Sequence, residues 1–496
     1  MISGTVLLLG AFVALIYFVF LKKPKWKNAP PGPSGFPVVG NLFQMDKHNH
    51  LSFTKWAKEY GPICKIDLAS MRMVIVSDYK LVKEIFAEPA FSGRMDFSNI
   101  DFIMDGKVHG LANTEGEHWE ELRRFTLRQL RDFGFGKNTM EESIMTEVTE
   151  LIDGLKEHGE KPLEDIKLKF TLAVVNSLWS LCTGIKYKQN DEELIKMTED
   201  VNKAFHEVQE GGSIILFMPW LTKVMPVWSG YEKVKREILK MADSCRKPML
   251  DHKKTYHEDF DRDFTDVFLK EIRKTTDPNS AFMGKLGEDN LVATLGDLFF
   301  AGTDTTASTL AWMMLYLSKF PEVQRKFHKE IETTTGNSRM CAISDRPNMP
   351  YTEAVIAETL RFSSITPQGL GHKAMKDQEF HGYLIPKDTI ITANIFHIHF
   401  DPTIWGDPEN FRPERFLSPD GKTFKKHEAL LPFSIGRRQC LGETLARDSL
   451  FLFATNVVQR FKIEFDTKGP DHGFEPVISF ILTPMPFNLI LKDRLA

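Results

Sequence analysis

Residue types and spacing converge on chemistry most clearly in Pro432-Phe433-Ser434-Ile435-Gly436-Arg437-Arg438-Gln439-Cys440-Leu441-Gly442-Glu443, which is followed by an apolar-periodic run through Phe461. Cys440 stands where a tight loop enters a helix. Backbone N–H groups and the positive end of the helix dipole lower a thiol's pKa at such a position, so a thiolate is expected near neutral pH. Gly436 permits a turn with positive φ, and Gly442 leaves no side chain where a flat ligand would lie against the backbone. Arg438 places a cation two residues from the sulfur. This combination suits a metal-bound thiolate beside an anionic cofactor. The remaining cysteines, Cys64, Cys182, Cys245 and Cys341, are far apart and form no C-x-x-C pair. They read as buried, inert thiols of a reducing compartment.

Three further constellations carry polar groups where the pattern would favour apolar ones. A long, largely apolar helix is expected from about Asp289 to Lys319, and its middle reads Ala301-Gly302-Thr303-Asp304-Thr305-Thr306. A mid-helix glycine costs roughly 1 kcal/mol against alanine, and an acid among apolar neighbours needs a partner. A local opening of the helix with trapped water accounts for both; a Thr-rich bend with Asp304 in a structural pair is the alternative. In Tyr351–Ser363, Glu358 and Arg361 stand at i,i+3 and share one helix face. Trp119 and Arg123 put an indole N–H and a guanidinium one turn apart, donors suited to a carboxylate.

The series Phe433-x-x-Gly436-x-Arg438-x-Cys440-x-Gly442 resembles the haem-binding signature of the cytochrome P450 family, matching at every defined position. The resemblance implies that the Cys440 thiolate is the axial ligand of a haem b iron, iron protoporphyrin IX, donating electron density that favours O–O cleavage. It further implies that Asp304 and Thr305 are catalytic, organising water and proton delivery on the oxygen-binding side of the haem. Glu358 and Arg361, followed by Asn410-Phe411-Arg412-Pro413-Glu414-Arg415-Phe416, match a structural network that Arg415 completes and that braces the cysteine loop. Trp119, Arg123, His372 and Arg438 match contacts to the haem propionates. Phe300, Ala301, Ile365 and Gly369 fall where a substrate pocket is expected. Gly371 precedes His372 where similar chains usually carry proline.

These residues must be positioned by a chain of 496 residues, 42% hydrophobic and 26% charged, a globular composition. Its 63 Lys+Arg against 67 Asp+Glu give a net charge of -4, which argues against general nucleic-acid affinity. The run Ile2–Leu21 has no charge and matches the hydrocarbon thickness of a bilayer, so residues 1–21 read as a transmembrane anchor. Lys22, Lys23, Lys25 and Lys27 follow it, which keeps that end and the rest of the chain cytoplasmic. Residues 22–41, basic and rich in proline, read as a stiff hinge, and 42–496 as one haem-binding catalytic domain. Short β-prone runs at Ile63–Leu68, Met73–Val76, Thr389–Ala393, Phe461–Phe465, Val477–Leu482 and Phe487–Leu491 flank long amphipathic stretches such as Glu141–His158, Asp191–Glu210 and Tyr231–Tyr256. The expected fold is mainly α with small peripheral β-sheets, the cytochrome P450 fold by resemblance. Residues 213–228, apolar but broken by Pro219 and Pro226, either cover the core or dip into a membrane interface with Trp220 and Trp228 as anchors.

As a whole the resemblance implies a monooxygenase on the cytoplasmic face of the endoplasmic reticulum membrane, in contact with membrane lipid. Its substrates would be O2 and a lipophilic molecule: a steroid, terpenoid, fatty acid or xenobiotic to be hydroxylated or epoxidised. Nothing in the chain resembles a dinucleotide-binding unit, so electrons are expected from NADPH through cytochrome P450 reductase, with cytochrome b5 as a second donor. Arg124, Arg128, Arg131 and Lys137, next to Arg123, offer a docking face for such a partner or a plain solvated face. Two rival functions are a hydroperoxide isomerase, against which Asp304-Thr305 counts, and a haem sensor or carrier without turnover.

Overall fold

The computed structural model of the chain describes residues 26–95, 107–132, 138–188, 191–210, 221–336, 338–478 and 481–495, with the isolated positions 4, 10, 11, 13 and 215. Apart from those isolated positions, the expected membrane span 2–21, Lys137 and the first half of the 213–228 segment lie outside the described residues. Among those described, no helix is long and apolar enough to cross a membrane. In chain order the main elements are α1 Asn49–Tyr60, β1 Ile63–Leu68, β2 Met71–Val76, α2 Tyr79–Ala87, β3 Gly93–Arg94, α3 Gly116–Asp132, α4 Asn138–His158, α5 Ile166–Thr183, α6 Glu192–Glu210, α7 Tyr231–Lys254, α8 Phe264–Lys274 and α9 Gly284–Lys319. They continue with α10 Pro321–Thr335, α11 Pro350–Ser363, β4 His372–Lys373, β5 Gln378–Phe380, β6 Tyr383–Ile385, β7 Ile390–Ala393, α12 Ile395–His399, α13 Glu443–Arg460, β8 Phe461–Phe465, β9 Pro476–Ile478, β10 Leu482–Pro484 and β11 Leu489–Asp493. The architecture is mainly helical with small sheets.

Helix burial follows the apolar pattern. In α4 the buried side chains Met140, Ile144, Val148, Leu151 and Leu155 recur at helical spacing, so one stripe faces the core and the rest faces water. By contrast α5 is buried on nearly every face from Phe170 to Trp179, and α9 from Thr306 to Leu317. Such all-round apolarity fits the centre of a helical layer, where these two helices pack on each other. Gly302 lies at their contact: a Cβ there would collide with Cδ2 of Leu178 on α5. The glycine therefore serves close helix packing. This corrects the expected local opening, because α9 runs as one α-helix through residues 301–306.

A five-stranded sheet in the order β1-β2-β7-β4-β3 supports the N-terminal side. β1 and β2 form the expected hairpin, paired from Ile63↔Val76 to Leu68↔Met71, and β2 runs parallel to β7 from Met73↔Ile390. At the far edge Arg94 pairs with His372. The run expected as one strand at Val477–Leu482 instead reverses, so that Leu482 on β10 opposes Ile478 on β9. From Trp26 onward the proline-rich hinge lies on this domain: the Trp26 indole N–H donates to Leu384 O at 2.6 Å, and Lys65 N–H to Pro31 O at 2.9 Å.

Beneath the cysteine loop sits a fully buried ionic network. Arg361 on α11 meets Glu358 through two hydrogen bonds of 2.8 Å, and Arg415 reaches the same carboxylate at 3.0 Å. Further donors go to carbonyls, Arg361 to His399 O at 2.8 Å and Arg415 to Trp405 O at 2.8 Å and Asn410 O at 3.0 Å, and Arg415 also reaches the Asp407 carboxylate at 3.3 Å. Removing one member of such a buried pair costs about 3–5 kcal/mol, since the other charge is left without a partner.

His399, at the end of α12, extends the network to the loop. Its Nε2 accepts the Leu431 N–H at 3.0 Å, so the proton sits on Nδ1, 3.1 Å from Ser364 Oγ. Burial, with Arg361 nearby, lowers the His399 pKa to about 3. A histidine whose folded pKa lies below its unfolded value of about 6.5 stabilises the fold fully above that pH. The contribution is lost as the pH falls from about 6.5 toward 3. Unfolding followed against pH should therefore show a steeper acid loss in the unaltered protein than in His399→Gln, which keeps hydrogen-bonding groups but does not titrate; equal slopes would contradict this role. His399→Ala, which leaves Leu431 N–H and Ser364 Oγ unsatisfied, should cost about 2–4 kcal/mol at neutral pH.

Candidate functional site

The loop before α13 is held from both sides. Phe433 O accepts the Cys440 N–H at 3.0 Å, Gly436 O accepts that of Gln439 at 3.1 Å, and Leu431 O accepts that of Ser434 at 3.1 Å. Gly436 has φ +82, and any Cβ there would collide with the Phe86 carbonyl oxygen at the end of α2. That carbonyl also accepts the Arg437 N–H at 3.3 Å. Only glycine fits this position, because it needs both a left-handed backbone and a close approach. Gly442 is the N-cap of α13, and a Cβ there would meet only open space.

Cys440 opens onto a cavity of about 810 Å³. The other four cysteines are buried and free, as expected. The expectation of a lowered Cys440 pKa is not met in the protein alone: burial pushes the thiol up, and Glu443 adds to the shift, against the opposing effects of the Gly442 backbone N–H and Arg123. Desolvation outweighs the helix-terminus effect. A metal cation bound at this sulfur would draw off its proton, since a coordinating thiol deprotonates on binding.

Trp119, Arg123, His372 and Arg438 all line the same cavity. Arg438 donates from Nε to Ser92 O at 2.8 Å and from Nη2 to Thr114 O at 2.6 Å, with its guanidinium 3.7 Å over the Trp119 ring. Its buried Nη1 has no partner. Arg123 donates to Gln439 O at 2.6 Å, which ties α3 to the residue beside the thiol. His372 donates from Nδ1 to Phe91 O at 3.0 Å and stacks on Phe86 at 3.7 Å. Gly371 leaves this histidine in the sheet, paired with Ile391.

Arg94 completes the group and was not signalled by any motif. It stands in the apolar run Ala90-Phe91-Ser92-Gly93, where an arginine needs a reason, and its guanidinium donates to Ala112 O at 3.1 Å and Gly371 O at 3.2 Å. Burial and mutual repulsion bring Arg438 down to about 8 and Arg94 to about 10. Burial, then Arg94, holds His372 well below its ordinary value. Three arginines that destabilise one another around an unpartnered guanidinium nitrogen call for an anion. With a thiol across the same cavity, the residues fit a flat, dianionic, metal-bearing group.

The long helix α9 also contributes to the lining. Phe300, Ala301, Asp304 and Thr305 line the cavity, as do Ile365 and Gly369. The Thr305 hydroxyl donates to Ala301 O at 2.7 Å. Asp304 has the partner that an acid in this setting needs, Lys167 of α5, at 2.6 Å. Among the described residues, the cluster of metal-binding types is elsewhere, at His252, Asp263 and Asp266. Its donors are consumed by internal bonds: His252 Nε2 to Asp263 at 2.7 Å, and Asp266 to Arg262 at 2.6 and 2.8 Å. It is a structural clamp.

Comparison with known proteins agrees with this geometry. The family model described as Cytochrome P450 matches residues 30–491. Cytochrome P450 2J2 of Homo sapiens is 37% identical over 467 residues, 92% of this chain and 89% of the relative. Cytochrome P450 2F2 of Rattus norvegicus is 34% identical over 99% of both chains, and farnesoate epoxidase of Bombyx mori is 32% identical over 97% of both. A cysteine loop facing a cationic cradle, within a match that spans almost the whole chain, leads to one assignment: the chain belongs to the cytochrome P450 family of haem-thiolate monooxygenases.

Proposed function

We propose that this chain inserts one oxygen atom of O2 into a lipophilic organic substrate, taking electrons from NADPH through a flavoprotein reductase. The balance is RH + O2 + NADPH + H⁺ → ROH + H2O + NADP⁺, or the corresponding epoxide. The observation that carries the reading is that Cys440 and the Asp304–Thr305 segment face one cavity. Haem bound in this cavity would supply activation of O2, and the Cys440 thiolate would hold its iron. Arg94, Arg123, Arg438 and His372 would hold its propionates. Leu298, Phe300, Ile365 and Ile481 form an apolar wall that admits a lipophilic molecule and keeps water out.

Thr305 and Asp304 are assigned the protons. Thr305 Oγ is a hydroxyl that already has a local acceptor in Ala301 O, so it can exchange that bond for one to a water in the cavity. The carboxylate of Asp304, one residue away, accepts and returns the proton. The buried Glu358–Arg361–Arg415 network acts on the loop alone and touches no substrate. Exposed Val224, Met225, Val227 and Trp228, together with the charge-free run Ile2–Leu21, support attachment to a membrane, and the lysines after that run support a cytoplasmic catalytic domain on the endoplasmic reticulum.

The direct test is NADPH-dependent turnover with added reductase over a panel of steroids, terpenoids, fatty acids and drug-like molecules. Farnesoate belongs in that panel because a relative is named as its epoxidase. Oxygenated product matched to NADPH supports the reading. Isomerisation of hydroperoxides without NADPH, or substrate binding with no turnover, overturns it.

Two variants test the parts. Thr305→Ala should keep haem and its thiolate spectrum while product per NADPH falls by about 10-fold or more and peroxide rises; unchanged coupling would remove Thr305 from the proton path. Arg124, Arg128 and Arg131 are exposed on α3, the helix that Arg123 ties to the cysteine loop. They are the assigned docking face for an acidic flavin domain and for cytochrome b5. Reversing Arg128 and Arg131 to Glu should slow reductase-supported turnover by about 10-fold at low ionic strength, where charges are not yet screened over about 8–10 Å. Turnover driven by added peroxide should be spared. Equal loss in both assays would show that these arginines serve the fold instead.

A further inference from the structure

From α5, Lys167, Val174, Ser177 and Leu178 reach the cavity wall. Leu178 packs against Gly302, and Val174 is buried. Lys167 is the one charged residue that α5 contributes to the lining, and its ammonium lies 2.6 Å from Asp304 Oδ1. The lysine side chain is 30% exposed and the aspartate 17%, so the pair bridges from the solvent edge of α5 to the middle of α9. Thr305, the next residue, instead bonds within its own helix to Ala301 O.

We infer that Lys167 is a positioning residue for Asp304, holding its carboxylate on the α5 side of the long helix and linking it to solvent, so that protons reach the cavity along this flank. The inference rests on the proton role proposed for Asp304. Two features of the geometry support it. Asp165 caps α5 by accepting the Leu168 N–H at 2.9 Å, which fixes the first turn of the helix that carries Lys167. No other cation is paired with Asp304 among the described residues. An ion pair this accessible adds little to stability, so its place between solvent and the cavity points to function.

The test uses the full-length holoenzyme with reductase and a turned-over substrate. It compares Lys167→Met, Lys167→Arg, Asp304→Asn and the double variant Lys167→Met/Asp304→Asn. Four quantities are read: product per NADPH, KM, the thiolate-type band of the reduced carbon monoxide complex, and the melting temperature. For Lys167→Met, product per NADPH should fall about 3- to 10-fold with KM and the band unchanged and the melting temperature within about 3 °C of the parent. Lys167→Arg should restore coupling to within about twofold, because it keeps the cation. The double variant should couple no worse than Asp304→Asn, since Lys167 acts only through that acid.

If Asp304→Asn is uncoupled while Lys167→Met couples like the parent, the lysine is idle and this inference falls, with the reading of Asp304 intact. Normal coupling in Asp304→Asn would overturn that reading itself, and this inference with it. Should Lys167→Met lose the band, Lys167→Gln decides: it keeps a hydrogen bond without the charge, and parental coupling in that variant overturns the inference.

Discussion

A carboxylate with no access to water, Glu358, holds two arginines drawn from different parts of the chain, and the cysteine loop hangs from that arrangement. A buried ion alone would cost several kcal/mol, so Glu358 and Arg361 depend on each other, while Arg415 is shared between Glu358 and Asp407. The network fixes α11 against the segment around Asn410, fixes His399 through its carbonyl, and through the His399 ring fixes Leu431, whose carbonyl starts the turn at Ser434. A loop braced this way can present one sulfur at a set place without carrying regular structure of its own.

Opposite demands meet around that sulfur. Burial raises the thiol's pKa, and burial also penalises Arg94, Arg123 and Arg438, which crowd one side of the cavity. The protein alone therefore stores two uncompensated preferences, one for a metal cation and one for anions. A single group with a metal centre and two carboxylates satisfies both. The same logic explains the docking of α3: Trp119 packs under Arg438 while Arg123 bonds to the chain beside Cys440. The helix that lines the cavity through Trp119 and Arg123 also carries the exposed Arg124, Arg128 and Arg131.

Much of the site could be read in the sequence because its signals are local. The cysteine loop, Glu358 with Arg361, and Trp119 with Arg123 each lie within one turn or loop, and the β1–β2 hairpin follows from two β-prone runs around Ala69–Ser70. Arg94, His399 and Lys167 escaped because their partners are remote in the chain: Gly371 for Arg94, Leu431 for His399, Asp304 for Lys167. Local reasoning also misjudged two balances. It gave weight to the dipole at Cys440 and none to desolvation, and it assigned Gly302 to a helix opening when the neighbour that needs the space is Leu178 on another helix. Both errors have one source, since burial is a property of the packed molecule.

The central claim is that Cys440 and no other thiol completes a haem-iron site in this cavity. The reduced carbon monoxide spectrum of Cys440→Ser, recorded beside the unaltered protein, addresses it most directly, because a serine oxygen cannot replace a soft, electron-rich sulfur ligand. The account predicts a thiolate-type band in the unaltered protein and its complete loss in the variant. A Cys440→Ser protein that kept the band would contradict it.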